Sequence, residues 1–256
     1  MGGRADGAGA LRHTFRYLVH EVPGAGAELA LPPADSHHLA RVVRRRAGDA
    51  VEIIDGGGRL WPAVVTDPGP PARVRVAAPR PGPGPTGVSL WMGLAEWGRL
   101  DVAVEKASEL GVEEVVLFTS ARARRVPAPD AWRRRRDRLT RVAEAAARQS
   151  GQGRLPRLRG LVPFAEALDG VPPGEGYLID PRGDAPLTAA LAGAAGGRAR
   201  LVVGPDAGFS EEEVAAARRA GLAVCGLGAA VLRAETAAIV AVSVALAALG
   251  RLGARS

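Results

Sequence analysis

Cysteine and lysine are almost missing from this chain of 256 residues: Cys225 and Lys106 are the only ones. A single thiol excludes an internal disulfide and any zinc site built on cysteines, and it suits a reducing cytoplasm, the expected location. The four histidines, His13, His20, His37 and His38, have no metal-ligand spacing, so no metal is expected. The apolar core of a signal peptide is lacking as well. Met1 to Ala10 is small and glycine-rich, and residues 1–13 read as a disordered lead-in. The longest apolar run, Ala237 to Leu249, is too short to cross a bilayer and reads as a buried helix, so no membrane contact is expected.

Arginine is abundant instead. Basic residues outnumber acidic ones 34 to 27, giving a formal charge of +7 and an isoelectric point near 10.9. Basic surface gains affinity for polyanions by displacing counterions from phosphates, which makes nucleic acid the first partner to consider. Arginine in place of lysine, with much Ala, Gly and Pro, also reflects a biased genome, so charge alone carries moderate weight. A composition that is 47% hydrophobic and 24% charged is that of an ordinary soluble protein, long enough for one large domain or two smaller ones.

A run rich in proline marks the division. Pro79-Arg80-Pro81-Gly82-Pro83-Gly84-Pro85 removes backbone donors and fixes φ, so residues 79–87 read as a linker. Ahead of it, in residues 14–78, Val51 to Asp55, Leu60 to Thr66 and Arg73 to Ala77 read as short strands of a small β-barrel, with one helix over His37 to Arg46. Behind it, in residues 88–253, apolar runs at Val88 to Leu94, Val115 to Thr119, Tyr177 to Asp180, Leu201 to Gly204 and Leu222 to Leu227 alternate with helical segments. That alternation predicts an α/β fold with a parallel sheet covered on both faces.

Two glycine-bearing loops follow the last two apolar runs: Gly204-Pro205-Asp206-Ala207-Gly208-Phe209-Ser210 and Leu227-Gly228-Ala229-Ala230-Val231-Leu232. Ligands of open parallel sheets bind beyond the carboxyl ends of the strands, and the short intervening segment predicts that these two strands are neighbours. Ser210 and Glu213 form a capping box that starts the next helix, while Glu211, Glu212 and Glu213 in its first turn would repel a phosphate. A P-loop is excluded because the first loop lacks the Gly-Lys-Ser/Thr ending. The second loop begins like a dinucleotide fingerprint but ends in Val231 and comes too late for a βαβ unit. What remains is a ligand held by backbone groups, apolar side chains and at most one charge, such as S-adenosylmethionine; the alternative is that the glycines only make tight turns.

The two loops, with Val231-Leu232-Arg233-Ala234-Glu235-Thr236-Ala237, resemble the cofactor loops of the RsmE family of SPOUT methyltransferases, which act on N3 of a uridine in 16S ribosomal RNA. Glu105 to Val112, Glu144-Ala145-Ala146 with Gln149-Ser150 and Pro156, and His37-His38-Leu39 with Arg41 to Arg44 and Gly48-Asp49 are similar to further segments of that family. The resemblance implies a C-terminal SPOUT-type sheet with a trefoil knot, preceded by a small PUA-like domain, although general threading rules make knots rare. It also implies S-adenosyl-L-methionine as cofactor, small-subunit ribosomal RNA as partner and a homodimer. Cofactor contacts fall on Val203, Gly204, Pro205, Asp206, Gly208, Leu227, Gly228, Leu232 and Thr236. Arg233 is implied to stabilise negative charge on the uracil, with Glu235 accepting a proton or holding Arg233 in place; a plain salt bridge beside the loop is the alternative. RNA contacts are expected from His37, His38, Arg41, Arg44 and Arg45, and from Arg122 and Arg124 in a second basic cluster.

The family usually has Gly-Pro-Glu-Gly-Gly and Leu-Gly-Pro-Arg where this chain has Gly204 to Gly208 and Leu227 to Ala230, and threonine where it has Ala234. Ala207, Ala230 and Ala234 therefore leave open a noncatalytic RNA-binding paralogue, or a methyltransferase for another RNA.

Overall fold

The computed structural model describes residues 14–122, 126–194 and 197–252; the expected lead-in and Arg124 lie outside them. The chain forms two compact units, divided between Arg80 and Pro81.

In the first unit, β1 (Arg16–Leu18), β2 (Glu28–Ala30), β3 (Ala50–Ile54), β4 (Arg59–Asp67) and β5 (Arg73–Val76) form one sheet, joined by the short β6 (Arg80–Pro81), which spans the division. Its order is β1-β3-β4-β5-β2, with β6 beside β4. Alternation sets the inner face: Val51, Ile53, Trp61, Ala63, Val65, Val74 and Val76 are buried, while Arg59, Arg73 and Arg75 point out. The expected helix over His37 to Arg46 is shorter and earlier. Helix α1 (Pro33–His37) passes into a π-helical turn, His38–Val42. Arg44 then takes a left-handed conformation with φ of 52°, which a helix interior does not accommodate. Arg44, Arg45 and Arg46 thus lie in the loop after the helix.

The second unit holds β7 (Val88–Gly93), α2 (Trp97–Glu109), β8 (Glu114–Thr119), α3 (Pro129–Ser150), β9 (Arg157–Pro163), α4 (Phe164–Leu168), β10 (Gly176–Ile179), β11 (Ala185–Pro186), α5 (Leu187–Leu191), β12 (Ala199–Val203), α6 (Glu211–Arg219), β13 (Ala223–Gly226) and α7 (Ala234–Ala248). Seven strands pair in the order β11-β13-β10-β12-β7-β8-β9, every pair parallel. Successive residues feed two cores. Leu90, Met92, Leu117, Leu201, Val203 and Cys225 pack under α2, α3, α5 and α7. Trp91, Val116, Phe118, Leu178, Val202 and Val224 face Phe164, Phe209 and α6 on the other side. Near-continuous apolar runs are what a strand buried on both faces requires.

Strand β13 enters between β10 and β11, which Asp180 to Asp184 connect. That connection must cross the carboxyl end of β13, and it does so at Gly183. A Cβ there would stand 2.3 Å from the backbone of Cys225 and Gly226, so only glycine lets the two segments pass. The chain leaving β13 continues beyond this crossing into α7, which is the threading a trefoil knot requires.

Candidate active site

Three loops meet at the carboxyl edge of the parallel sheet. Around a cavity of about 490 Å³ stand Ile179 to Arg182 at the end of β10, Val203 to Phe209 at the end of β12, Leu227, Gly228 and Ala230 to Leu232 after β13, Ala234 and Ala237 of α7, and Arg122 after β8. The two glycine loops expected on neighbouring strands are on strands separated by β10. Because β10 fills the gap, its own loop supplies the third wall.

The loops after β10 and β12 are pinned. Asp180 is buried, with its side chain 3% exposed, and Arg182 grips both of its oxygens, Nε to Oδ1 at 2.7 Å and Nη2 to Oδ2 at 2.8 Å. The same Nη2 donates to the Phe209 carbonyl at 3.0 Å, tying the β10 loop to the β12 loop. Burial pushes the Asp180 carboxyl up, but the Arg182 hydrogen bonds and charge outweigh it and hold the group below the usual range. Ser210 caps α6 as expected, exchanging hydrogen bonds with Glu213, whose other oxygen accepts from the Ala121 amide at 2.8 Å. Asp206 turns toward α2, where Arg99 Nη1 donates to it at 2.7 Å and the Glu96 amide at 3.1 Å.

Of the expected cofactor residues, Val203, Gly204, Pro205, Asp206, Gly208, Leu227, Gly228 and Leu232 line the cavity. Thr236 does not; it is exposed on the first turn of α7. Arg233 is the exposed N-cap residue of α7, between the lining residues Leu232 and Ala234. The expected pairing of Glu235 with Arg233 is absent among the described residues: Glu235 Oε2 lies 3.9 Å from Arg99 Nε. The reason is geometric, since α2 packs along α7 and brings Arg99 to its start. That distance exceeds a hydrogen bond, and Glu235 Oε2 is buried without a hydrogen-bond partner. Arg122, expected in an RNA-binding cluster, is on the cavity wall.

In the first unit His37, His38, Arg41 and Arg44 are exposed. The His38 ring lies 6.1 Å from Tyr17 and 6.3 Å from Phe15. Arg45 is half-buried, stacked over Phe15 at 4.8 Å and 3.9 Å from Asp49. The residues that sequence reasoning missed are Asp180, Arg182 and Arg99. The first two carried a signal, since Asp-Pro-Arg-Gly directly follows the apolar strand ending at Ile179. Arg99 carried none, because its partners are far away in sequence.

The cavity suits S-adenosylmethionine by the test of its wall. Aliphatic side chains and loop backbone dominate, both acidic lining residues are already paired with arginines, and no phosphate-binding glycine-lysine turn is present. Gly228 sits at φ of +117° with no heavy atom within 4 Å of where a Cβ would project, so it leaves its part of the wall bare.

A parallel sheet crossed at this edge and carrying a paired-charge, aliphatic cavity fits an RNA methyltransferase domain, and comparison with known proteins identifies one. A family model for an RNA methyltransferase domain matches residues 83–246, and one for an RNA methyltransferase PUA domain matches residues 31–72. Ribosomal RNA small subunit methyltransferase E of Mycobacterium bovis is 32% identical over 93% of this chain and 92% of its own length. Its counterpart from Synechocystis is 27% identical over 90% and 76%. The crystal structure of a ribosomal RNA small subunit methyltransferase E from Neisseria gonorrhoeae bound to S-adenosyl methionine superposes with a TM-score of 0.82 at 25% identity, covering 90% of this chain and 96% of that one. The chain belongs to the ribosomal RNA small subunit methyltransferase E family.

Proposed function

We propose that this protein transfers a methyl group from S-adenosylmethionine to N3 of a uridine in the 16S RNA of the small ribosomal subunit. The observation that carries the reading is the cavity formed where three strand-end loops meet around the threaded chain. Its relatives are named for methylating small-subunit ribosomal RNA, and the gonococcal relative binds this donor.

When bound, S-adenosylmethionine supplies an electrophilic methyl group on a cationic sulfur. Val203, Gly204, Pro205, Gly208, Leu227, Gly228 and Leu232 hold it and exclude water, and Asp206 keeps its loop against α2. N3 of neutral uracil carries a proton, so the nucleophile needs an acceptor or a stabilised anion. Arg233 is exposed beside the cavity and makes no ion pair among the described residues, leaving its guanidinium available for the uracil oxygens. Glu235 presents a buried carboxylate oxygen with no donor, the acceptor such a proton needs. His37, His38, Arg41 and Arg44 hold the RNA backbone from the PUA-like unit, which binds while the C-terminal unit catalyses. Two copies pair through the half-buried apolar residues Ile239, Val240 and Val244 of α7 and act in the cytoplasm. No described helix is long and apolar enough to cross a membrane, and no metal-binding cluster occurs among the described residues.

The test is incubation of the protein with S-adenosylmethionine and small subunits from a strain deleted for the enzyme, followed by mass spectrometry of the nucleosides. The reading expects 3-methyluridine; a methyl group on another nucleoside, or none, refutes it.

A further inference from the structure

Four charged side chains line the cavity: Arg122, Asp180, Arg182 and Asp206. Two of them cancel, Asp180 with Arg182 at 2.7 Å, and Asp206 is matched by Arg99 at 2.7 Å. Arg122 makes no ion pair among the described residues; the exposed Glu212 acts on it only at longer range, which leaves its guanidinium open to a ligand. Its place is fixed from behind, because the amide of the preceding residue, Ala121, donates to the buried Glu213.

We propose that Arg122 receives the carboxylate at the amino-acid end of the methyl donor. The proposal rests on the functional reading above and names the part of the donor that this side chain recognises. A sulfonium and an ammonium are repelled by a guanidinium; the carboxylate is the donor's only anionic group, and a planar fork matches its two oxygens. An RNA phosphate is the rival occupant. Glu211 and Glu212 stand exposed on the first turn of α6, and Glu212 is close enough to feel the Arg122 charge. A single carboxylate needs only the one cation, whereas a phosphate chain passing this point would meet both glutamates.

The experiment measures binding of S-adenosylhomocysteine and of 5′-methylthioadenosine, which lacks the amino-acid end, to the wild type, Arg122→Gln and Arg122→Lys by calorimetry. Losing a charge-assisted contact is expected to weaken S-adenosylhomocysteine about 10- to 100-fold in Arg122→Gln, and less in Arg122→Lys. Methylthioadenosine should bind all three proteins alike, which also shows that the cavity is intact. Equal weakening of both ligands would overturn the proposal in favour of a structural role. Unchanged S-adenosylhomocysteine binding would overturn it too, and a fall in RNA affinity in the same variant would then assign Arg122 to a phosphate. If the wild type binds neither ligand, it is the functional reading that fails.

Discussion

Arg182→Gln removes the clasp between two walls of the cavity. The substitution deletes two hydrogen bonds to Asp180 and one to the Phe209 carbonyl, and leaves a carboxylate that is 3% exposed without its counter-charge. Stripping one partner from a fully buried pair costs about 3–5 kcal/mol. Because the Arg182 side chain is 44% exposed, water screens part of that loss, and roughly 1.5–3 kcal/mol is the better expectation. For a chain of this size such a loss lowers Tm by roughly 3–12 °C.

The pH dependence gives the sign. In the wild type Asp180 titrates below its unfolded value of 3.8, so the pair stabilises the fold above that pH, and the contribution is lost as pH falls through the folded value. In the variant the residue-182 amide, 2.9 Å from Oδ1, and the Arg218 charge still favour the ionised form, but the guanidinium that outweighed burial is gone, so the carboxyl titrates higher than in the wild type and protonation relieves part of the cost. The gap in Tm between the two proteins should therefore be widest near neutral pH and narrow below about pH 4. Calorimetric scans across that range check it. A gap that is absent at pH 7, or equal at both ends, would refute the assignment of Asp180 and Arg182 as a coupled clasp.

Gly183→Ala should cost at least about 1–3 kcal/mol, because the added methyl group would meet backbone at the crossing, where no side chain can move aside; denaturant unfolding reads the loss. Ser210→Ala removes the acceptor of the α6 cap and should cost about 1 kcal/mol in the same measurement. Burial, with a smaller push from Asp184, raises the Cys225 thiol to about 11. Iodoacetamide at pH 8 should leave the native protein unlabelled and modify it after denaturation, as mass spectrometry would show.

The parts of the fold that were legible in sequence are those where local pattern and burial agree. Val88–Gly93 and Ala199–Val203 are apolar on both faces, and the Ser210–Glu213 cap is a local motif. Strand β9 was not legible because Arg157, Arg159, Gly160 and Pro163 interrupt its apolar residues, which are only half-buried. The three-residue strands β1 and β2 were too short for alternation to register. At the site, both glycine loops could be read, but the order that puts β10 between their strands is set by non-local pairing. For the same reason the partner of Glu235 proved to be Arg99, far away on α2, rather than its sequence neighbour Arg233.

Hydrogen exchange of the full-length protein with and without S-adenosylhomocysteine tests most directly whether three strand ends build one donor site. Slowed exchange in residues 180–184, 204–209 and 227–234, with the remaining segments unchanged, is the predicted result. No protection, or protection confined to a region away from these loops, would contradict it.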